Sequence, residues 1–258
     1  MRSLRSLLLA GLLPAFAATP AFAGDDLAQI KSSGVLRIGT EGTYAPFTYH
    51  DATGELTGFD VEIGQAIAQR LGVKAQFVEG KWDGLIAGLD VNRYDAVMNE
   101  VGITDARKVK YDFSTPYIIS HPVIIVRADN TTIKSFDDLK GKKASGSLTS
   151  NYSQIIRDHG AELVPVQGFD EALALLTSGR VDATVNDSLS FLDFKKHRPD
   201  VKVKIAATDS SAGAPSAMLI RKGNPQLQEA IDKALADMKA DGTYIKISDK
   251  YFGKDVSR

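Results

Sequence analysis

Two segments of the chain carry the same order of residue types and end in the same pair of polar groups. Arg93 to Glu100 reads RYDAVMNE, and 87 residues later Arg180 to Asp187 reads RVDATVND. In each segment a basic residue precedes an Asp-Ala step, an apolar run follows, and an asparagine and an acid come last. Amide and carboxylate oxygens accept hydrogen bonds from ammonium and hydroxyl groups. Each segment therefore ends in groups suited to holding a small polar solute.

The residues before the first segment predict that it is a strand in a sheet. In residues 59–71 every fourth residue is apolar, and Gly72 follows. This pattern is typical of an amphipathic helix that ends at a glycine. The predicted elements are, in order, a strand at 35–39, a helix at 59–71, a strand at 74–78, a helix at 83–89 and a strand at 95–98. This βαβαβ order indicates a mainly parallel sheet.

The second half of the chain predicts the same order of elements. Ser150 is placed to cap the first helix of this half. The elements are a strand at 142–145, a helix from Ser150 to about His159, a strand at 163–166, a helix at 170–178 and a strand at 182–185. Each repeated segment is therefore the third strand of its own unit.

Ligands of open parallel sheets gather at the carboxyl ends of the strands. Asn99-Glu100 and Asn186-Asp187 both stand at that end of their predicted strands. If the two sheets face each other across a cleft, both acids point into the same gap. The repeat thus predicts two lobes that grip one small polar molecule.

Residues 1–23 have the composition of an export signal. Two arginines and an apolar run precede Ala21-Phe22-Ala23, whose small-x-small spacing suits signal peptidase. The apolar run is too short for a spanning helix, and no second run of spanning length follows. We expect a cleaved signal peptide and a periplasmic mature chain of about 235 residues from Gly24, with an uncleaved anchor as the alternative. The chain has no cysteine, so we expect neither disulfides nor a lipid anchor.

Composition excludes several classes of function. Without the first 23 residues, 29 basic residues stand against 32 acidic ones, a net charge of −3. No basic excess points to nucleic acid or to an anionic membrane. The four histidines lie far apart and show no metal-ligand spacing, so we expect no metal and no cofactor. The length suits two lobes of about 100 residues each, and we expect a monomer.

Several stretches resemble one family of proteins over nearly the whole mature chain. ITDARKVKYDFSTPY, GTEGTYAPFTY, GELTGFDVEIGQAIAQRLGV and MKADGTYIKISDKYFG resemble the polar amino acid-binding proteins of bacterial ABC transporters, solute-binding protein family 3. KWDGLIAGLD, KYDFSTPY and the Thr-Ser-Asn-Tyr loop are most similar to the cystine-binding type.

The resemblance implies an α/β, two-lobed periplasmic binding protein fold of type II. Each lobe would be a mainly parallel sheet flanked by helices, and two hinge strands would join the lobes. Residues 24–118 and 216–258 would form lobe 1, and residues 119–215 would form lobe 2. An amino acid, with cystine as first choice, would be clamped between the lobes and delivered to the membrane permease of an ABC importer.

The resemblance also implies roles for the residues at the two ends of the ligand. Arg107 would pair with the ligand α-carboxylate through two parallel hydrogen bonds, which a lysine cannot copy. Thr149, Ser150 and Asn151 would complete this grip at the start of a helix. Asp187 would bind the ligand ammonium group. Each role has a purely structural alternative. Arg107 could be a surface arginine, Thr149 and Ser150 could form a simple helix cap, and Asp187 could be a loop aspartate at the end of a strand.

The remaining predicted site residues surround the ligand side chain and its amino group. Tyr44 and Trp82 would form walls, and Glu41 would face the distal end. Asn99 and Glu100 follow the first repeated strand. Many members of the family carry small hydroxyl residues or Gln where this chain has Glu100 and Gly102, so Gly102 would offer only its backbone. The three acids Glu41, Glu100 and Asp187 favour a ligand with a second positive group.

Other functions stay open at this point. A binding protein for a basic amino acid fits the same acids. Some relatives resemble dehydratases that act on cyclic dienyl acids, and a cleft carboxyl could serve as a general acid, although Asp187 beside an ammonium group would be ionised. A receptor sensor domain would need a spanning segment beyond residue 23, and an adhesive protein would leave the paired acids unexplained.

Overall fold

The structure is a computed structural model that describes residues 26–211 and 213–258. The expected signal peptide at 1–23 lies outside these residues. The described helices are α1 (Asp26–Ser33), α2 (Phe59–Arg70), α3 (Trp82–Leu85), α4 (Asp105–Lys110), α5 (Asn151–Asp158), α6 (Phe169–Thr177), α7 (Ser188–His197), α8 (Pro225–Ala240) and α9 (Thr243–Phe252). Short 3-10 helices lie at Ile86–Gly88 and Phe136–Leu139. Among the described residues no helix is both long enough and apolar enough to span a membrane.

The strands divide between two large sheets and two small ones. They are β1 (Val35–Thr40), β2 (Thr43–Tyr44), β3 (Thr48–His50), β4 (Leu56–Thr57), β5 (Lys74–Glu79), β6 (Ala96–Val97), β7 (Tyr111–Phe113), β8 (Ile118–Ser120), β9 (Pro122–Arg127), β10 (Lys143–Gly146), β11 (Glu162–Pro165), β12 (Ala183–Asp187), β13 (Val203–Thr208), β14 (Ala214–Ser216) and β15 (Leu219–Arg221). The first sheet has the order β5-β1-β6-β15-β7, and the second has the order β11-β10-β12-β9-β13. We call the unit built on each large sheet the first and the second lobe.

Each large sheet is mainly parallel and contains one reversed strand. In the first lobe β5, β1 and β6 run parallel, and β15 is antiparallel to both of its neighbours. In the second lobe β11, β10 and β12 run parallel, and β9 is antiparallel to both of its neighbours. This arrangement confirms the predicted fold class.

Two short strands carry the chain between the lobes. β8 leads from the first sheet to β9, and β14 leads back from the second sheet to β15. They pair antiparallel with each other, Ser120 opposite Ala214 and Ile118 opposite Ser216. The reversed strand of each lobe is therefore the strand that follows directly after a crossing strand. A chain that enters a sheet from the other lobe runs against the strands that were laid down by βαβ units.

The predicted elements of both βαβαβ units are present, with small shifts in their ends. The helix predicted at 83–89 is α3 followed by the 3-10 turn at Ile86–Gly88. The strand predicted at 95–98 is shorter, since β6 covers two residues. Ser150 is the N-cap of α5, and its hydroxyl oxygen accepts a hydrogen bond from the Tyr152 N–H. Local pattern therefore located these elements well, because each has a clear apolar period and a clear end signal.

The repeated segments play the same structural part in both lobes. Ala96 of β6 lies opposite Ile38, and Ala183 of β12 lies opposite Ala144. The aspartate before each alanine accepts a backbone hydrogen bond from the neighbouring strand. The Arg37 N–H donates to Asp95 Oδ2 at 2.9 Å, and the Lys143 N–H donates to Asp182 Oδ2 at 3.0 Å. The Asp-Ala step of each repeat thus fixes the register of the central strands.

Both sheets are buried on two faces by separate apolar clusters. In β9, Val123 and Ile125 pack against the α6 and α7 side, while Ile124 and Val126 pack against the α5 side. The alternation follows from the two-residue period of a strand. The first sheet likewise packs on α2, α8 and α9 on one face and on the α3 region on the other. Helices on both faces leave only the strand ends free for a ligand.

Gly58 fixes the entry into α2, the helix that contributes Asp60 to the site described below. Its φ is 131°, and a Cβ at this position would lie 2.2 Å from the carbonyl oxygen of Phe47. Gly54, in the preceding turn, has a φ of 84° and open space around it. An alanine at position 54 would therefore meet backbone strain alone. An alanine at position 58 would meet backbone strain and a clash with the Phe47 carbonyl.

We expect Gly58→Ala to lower the free energy of unfolding by roughly 3 kcal/mol or more, because the clashing atom belongs to the backbone and cannot swing away. Gly54→Ala should cost only about 1 kcal/mol, the price of a left-handed conformation for an alanine. Urea denaturation of both variants measures the two values. Equal losses for the two variants would contradict the assignment of a steric role to Gly58.

Candidate functional site

A cavity lies between the carboxyl ends of the two large sheets. Its volume is about 50 Å³, which is room for a few water-sized groups. Its lining residues come from both lobes: Glu41, Thr43, Tyr44, Trp82, Asn99, Glu100, Ser147, Ser150, Asn151, Tyr152, Gly168, Phe169 and Asn186. Both repeated segments contribute to it, Asn99 and Glu100 from the first lobe and Asn186 from the second.

The predicted site residues fall into two groups around this cavity. Seven of them line it: Glu41, Tyr44, Trp82, Asn99, Glu100, Ser150 and Asn151. Arg107 and Thr149 line a wider groove beside it, which shares Ser150 and Asn151 with the cavity. Gly102 contacts Arg107, and Asp187 lies buried behind Tyr152. The tertiary structure thus brings all the predicted residues to one region, but not all of them to one surface.

Asn99 organises the loop after β1. Its Oδ1 accepts hydrogen bonds from the Glu41 N–H at 2.8 Å and from the Thr40 hydroxyl at 3.2 Å. Its Nδ2 donates to Glu41 Oε2 at 2.6 Å. Asn99 therefore lines the cavity and also holds the Glu41 side chain in place there.

The Arg107 guanidinium lies over the Trp82 ring, with 5.3 Å between its central carbon and the ring centroid. Its Nη1 donates to the Gly102 carbonyl at 2.8 Å and reaches Asn151 Oδ1 at 3.5 Å. Within the described residues no carboxylate forms an ion pair with Arg107. Burial lowers its pKa, as expected for a cation that lacks an anionic partner.

Trp82 itself is 8% exposed, and its indole N–H has no hydrogen-bond partner among the described residues. A buried indole N–H usually has a partner. The Arg107 guanidinium lies over the same ring, in the groove beside the cavity. Together the two groups offer hydrogen-bond donors and a positive charge to an anionic group near the cavity.

The start of α5 uses its donors differently from the sequence-based expectation. The Thr149 N–H and hydroxyl both donate to Asp83 Oδ1 of the first lobe at 3.0 Å. The Ser150 hydroxyl caps α5. The Thr149 donors therefore join the two lobes in this structure instead of pointing into the cavity.

Asp187 caps a helix and lies behind the cavity wall that Tyr152 forms. It is completely buried, and its Oδ1 caps α7 by accepting from the Leu189 and Ser190 N–H groups at 2.7 and 3.1 Å. Its Oδ2 lies 3.4 Å from the Tyr152 hydroxyl. The same hydroxyl lies 3.3 Å from Glu100 Oε2. Tyr152 therefore stands between the two acids that end the repeated segments.

Glu100 connects the cavity to the crossing strands. Its Oε1 accepts from the Ser216 hydroxyl of β14 at 3.1 Å and from the Ser120 hydroxyl of β8 at 3.3 Å. Its backbone has a φ of 50°, and its N–H donates to Asp60 Oδ2 at 2.5 Å. Asp60 also accepts from the Tyr117 hydroxyl at 2.9 Å. A non-glycine residue held in this conformation is a feature that surrounding contacts must stabilise.

Burial dominates the electrostatics of these acids. It raises the pKa of Asp60 to about 7 and the pKa of Glu41 to about 7. Burial and the nearby acids raise the pKa of Glu100 well above its usual range, and burial raises the pKa of Asp187. Within the described ranges no grouping of acids and histidines is arranged to hold a metal ion. Among the residues that the structure describes, no Lys, Arg or His forms an ion pair with these acids, and Arg107 acts on Glu100 only at longer range.

Further hydrogen bonds join the lobes at the rim of the cavity. The Tyr44 hydroxyl donates to Asn186 Oδ1 at 2.6 Å, and the Ser190 hydroxyl donates to the Ala45 carbonyl at 2.9 Å. Tyr44 and Phe169 form a wall from opposite lobes. These contacts exist only while the two lobes are close together.

Sequence reasoning did not single out several residues of this region. Tyr152 belongs to the Thr-Ser-Asn-Tyr stretch, but nothing local showed that its hydroxyl would reach two acids. Asp60 looked like an ordinary acid in the first turn of a helix. The others missed are Thr43, Ser120, Ser147, Gly168, Phe169 and Ser216. Asn186 was placed with Asp187 at the end of the second repeated strand but was not named as a ligand-binding residue.

Comparison with known proteins agrees with this architecture. The family described as bacterial extracellular solute-binding proteins, family 3, matches residues 36–254. The L-cystine-binding protein TcyA of Bacillus subtilis is 48% identical over 238 residues, which cover 91% of this chain and 87% of the relative. The chain therefore belongs to family 3 of the bacterial extracellular solute-binding proteins.

Two solved structures of equal identity differ in how well they superpose. An ancestral arginine-binding protein bound to arginine is 43% identical and has a TM-score of 0.80, covering 85% of this chain and 98% of its own. The L-cystine solute receptor of Neisseria gonorrhoeae, in its unliganded open conformation, is also 43% identical and has a TM-score of 0.61. That match covers 91% of this chain and 100% of the receptor.

The buried acids predict how stability depends on pH. Asp60 and Glu41 titrate near pH 4 in an unfolded chain and near pH 7 in the folded one. The folded state therefore holds more protons between these values, and its stability falls as pH rises through this window, by up to about 1.4 kcal/mol per pH unit for each group.

We expect Asp60→Asn to make this decline shallower, because the amide keeps an acceptor for the Glu100 N–H but does not titrate. Glu229→Gln, which changes an exposed carboxyl group of α8, should keep the wild-type slope. The measurement is the free energy of unfolding in urea from about pH 4 to about pH 8. A wild-type stability that rises across this range would refute the interpretation.

Proposed function

We propose that this protein is an extracytoplasmic receptor that captures a polar amino acid, with cystine preferred, and delivers it to the permease of an ABC importer. The observation that carries the proposal is the charge pattern of the cavity. Among the described residues, Arg107 beside the cavity forms no ion pair with an acid, and the buried acids Glu100 and Asp187 around Tyr152 form none with a cation. A zwitterion placed between them neutralises both sides.

The ligand carboxylate is assigned to the Trp82 and Arg107 side. The guanidinium can form two parallel hydrogen bonds with a carboxylate. Its 3.5 Å contact with Asn151 is long and easily exchanged for a ligand oxygen. Ser150 and Asn151 line both the cavity and the groove that holds Arg107, so a carboxylate at this junction reaches the arginine.

The ligand ammonium group is assigned to the side of Glu100 and Asp187. Both acids lie around the Tyr152 hydroxyl, so an ammonium group near that hydroxyl meets two carboxyl groups. Glu41 also lines the cavity and is held there by Asn99. A ligand with a second positive group, such as cystine or a basic amino acid, offers that acid a partner as well. The TcyA relative is an L-cystine-binding protein, which supports cystine, and the ancestral neighbour with bound arginine keeps a basic amino acid as the second candidate.

Binding is proposed to select a closed arrangement of the lobes. At equal identity this structure superposes better on the arginine-bound neighbour than on the open receptor. The Tyr44–Asn186 and Asp83–Thr149 contacts across the lobes are consistent with closure. A ligand that touches both lobes shifts the population toward the closed form.

The hinge and the chain boundaries complete the proposal. β8 and β14 would act as the hinge, with residues 24–118 and 216–258 as lobe 1 and residues 119–215 as lobe 2. The mature receptor would begin at Gly24 after signal cleavage, act as a monomer in the periplasm, and need no cofactor.

A dehydratase on the same scaffold is the enzymatic alternative, because a protonated Glu100 is a competent general acid. We propose a binding protein instead, since the relatives named above are binding proteins. An assay for product from prephenate or arogenate separates the two proposals.

A thermal-shift screen over the amino acids and cystine tests the proposed ligand. At about 100 times its dissociation constant, the preferred ligand should raise Tm by about 5–10 °C. We expect cystine to give the largest shift and basic amino acids to follow, because Glu41 needs a positive partner. In Glu41→Gln, the difference in Tm shift between these ligands and neutral amino acids should become smaller. Shifts with small neutral amino acids, and none with cystine or diamino ligands, would contradict the role of the acids.

Removal of Arg107 tests the carboxylate site. Arg107→Ala should cost roughly 2–5 kcal/mol of binding free energy, since the ligand carboxylate loses its buried partner. That corresponds to a loss in affinity on the order of 30-fold or more in calorimetry. Arg107→Lys keeps the charge but loses the two parallel donors of the guanidinium. Its affinity should therefore lie between those of the wild type and Arg107→Ala. The control is Lys108→Ala in the same helix, which should bind like the wild type.

An unchanged dissociation constant for Arg107→Ala would remove Arg107 from the site. Thermal unfolding of the ligand-free variant shows whether the loss of its bond to the Gly102 carbonyl affects folding. A variant that melts like the wild type but binds weakly supports the assignment.

A further inference from the structure

Glu100 is the one carboxyl group in the described part of the chain that contacts both crossing strands and the second lobe. Its Oε1 accepts from the hydroxyls of Ser120 and Ser216, and its Oε2 lies near the Tyr152 hydroxyl. The side chain is only 4% exposed. A change in the charge of Glu100 therefore alters hydrogen bonds at the proposed hinge and at the proposed ammonium site at the same time.

The surroundings of Glu100 are acidic. Across residues 26–211 and 213–258, no Lys, Arg or His forms an ion pair with Glu100, Asp60 or Asp187. The titratable and charged groups that face Glu100 are Tyr44 of β2, Asp60 of α2, Tyr117 before β8, Tyr152 of α5, Asp187 at the end of β12 and, at longer range, Arg107 of α4. Three buried carboxyl groups cannot all stay ionised without a cation nearby.

The geometry around Tyr152 also favours a proton on one of the acids. A tyrosine hydroxyl has one hydrogen to donate, yet the Tyr152 oxygen lies 3.3 Å from Glu100 Oε2 and 3.4 Å from Asp187 Oδ2. With both acids ionised this hydrogen makes only one bond or a weak shared one, whereas a protonated carboxyl group can donate to the tyrosine oxygen and satisfy both contacts. Asp187 already accepts two backbone N–H groups, which favours its ionised form. Glu100 is therefore the better holder of the proton.

We propose that, with the lobes arranged as in this structure, Glu100 carries an exchangeable proton while no ligand is bound, and that binding of a ligand ammonium group releases this proton. The proposal rests on the proposed function, which assigns the position of the ammonium group. The Glu100 O–H bond breaks, the proton passes to solvent, and the ammonium N–H groups donate to the carboxylate. No covalent bond to the ligand forms.

This linkage gives amino acid binding a pH dependence of definite sign. Burial raises the pKa of Glu100, and a cation beside it lowers that pKa again. Affinity therefore rises with pH through the range in which the ligand-free Glu100 is protonated and the ligand ammonium group keeps its charge. Glu41, whose pKa is about 7, adds a second release only for ligands that carry another positive group.

Calorimetry in buffers of different ionisation enthalpy measures the protons released at constant pH. With L-cystine, L-arginine and L-glutamine as probes, we expect up to about one proton released per bound L-glutamine near pH 6. E100Q, which keeps the hydrogen-bonding shape, should lose most of this release and show a flatter affinity profile. E41Q should keep the release with L-glutamine, and E229Q is the exposed-carboxyl control.

Two results would overturn the proposal. One is binding by the wild-type protein with no net proton exchange between about pH 5 and about pH 8. The other is a release that disappears in E41Q and persists in E100Q. Because the wild-type measurement alone can refute the proposal, a poorly folded E100Q does not block the test.

A ligand-free measurement separates this inference from the proposed function. Infrared difference spectra of wild type minus E100Q near pH 6 should show the band of a protonated carboxyl group. If none of the three probes binds, the proposed function is wrong, and the spectrum still decides whether Glu100 holds a proton. A missing band refutes the inference even if cystine binds tightly.

Discussion

The placement of buried acids without a cationic partner is the constraint on which the rest of the site depends. Taking a carboxylate out of water is costly unless a positive charge or several hydrogen bonds compensate. Among the described residues, Glu100, Asp60 and Asp187 receive hydrogen bonds from hydroxyl and N–H groups, but no cation pairs with them. Burial raises the pKa of all three acids, and no ion pair with a cation among the described residues offsets this effect. A ligand with a positive charge would supply such a partner.

The fold brings these acids together without a cationic partner because it joins strand ends from two separate sheets. Each repeated segment uses its aspartate, Asp95 or Asp182, to bind a neighbouring strand, and its final acid lies beside the Tyr152 hydroxyl. The same eight-residue pattern thus fixes strand register at one end and places a buried acid at the other. The crossing strands add Ser120 and Ser216 directly beneath Glu100, which connects the site to the path of the chain between lobes.

Polar and apolar contacts join the lobes. Thr149 binds Asp83, Tyr44 binds Asn186, and Leu189 packs in the apolar cluster of the opposite lobe. A single hydrogen bond contributes about 1 kcal/mol, so each of these bonds biases closure without locking it. Such a weak bias suits a receptor, because the ligand can then decide the population of the closed form.

The sequence by itself determined the elements and the general character of the site. Apolar periods, caps and glycines specify helices and strands locally, and the repeat of RYDAVMNE in RVDATVND indicated two similar units with acids at their strand ends. The resemblance to a family added Arg107, Trp82 and the cleft. These features depend on residues near one another in the chain or on a motif, so they can be recognised without coordinates.

Only the tertiary structure decided how these residues combine. The reversal of β9 and β15 depends on which lobe the chain enters from, and no local pattern carries that information. The sharing of Tyr152 by Glu100 and Asp187 joins residues 52 and 35 positions apart. The use of the Thr149 donors by Asp83 spans 66 positions. Burial, charge shortage and proton position are properties of the assembled surroundings, because they depend on what lies around a group in space and not on its neighbours in the chain.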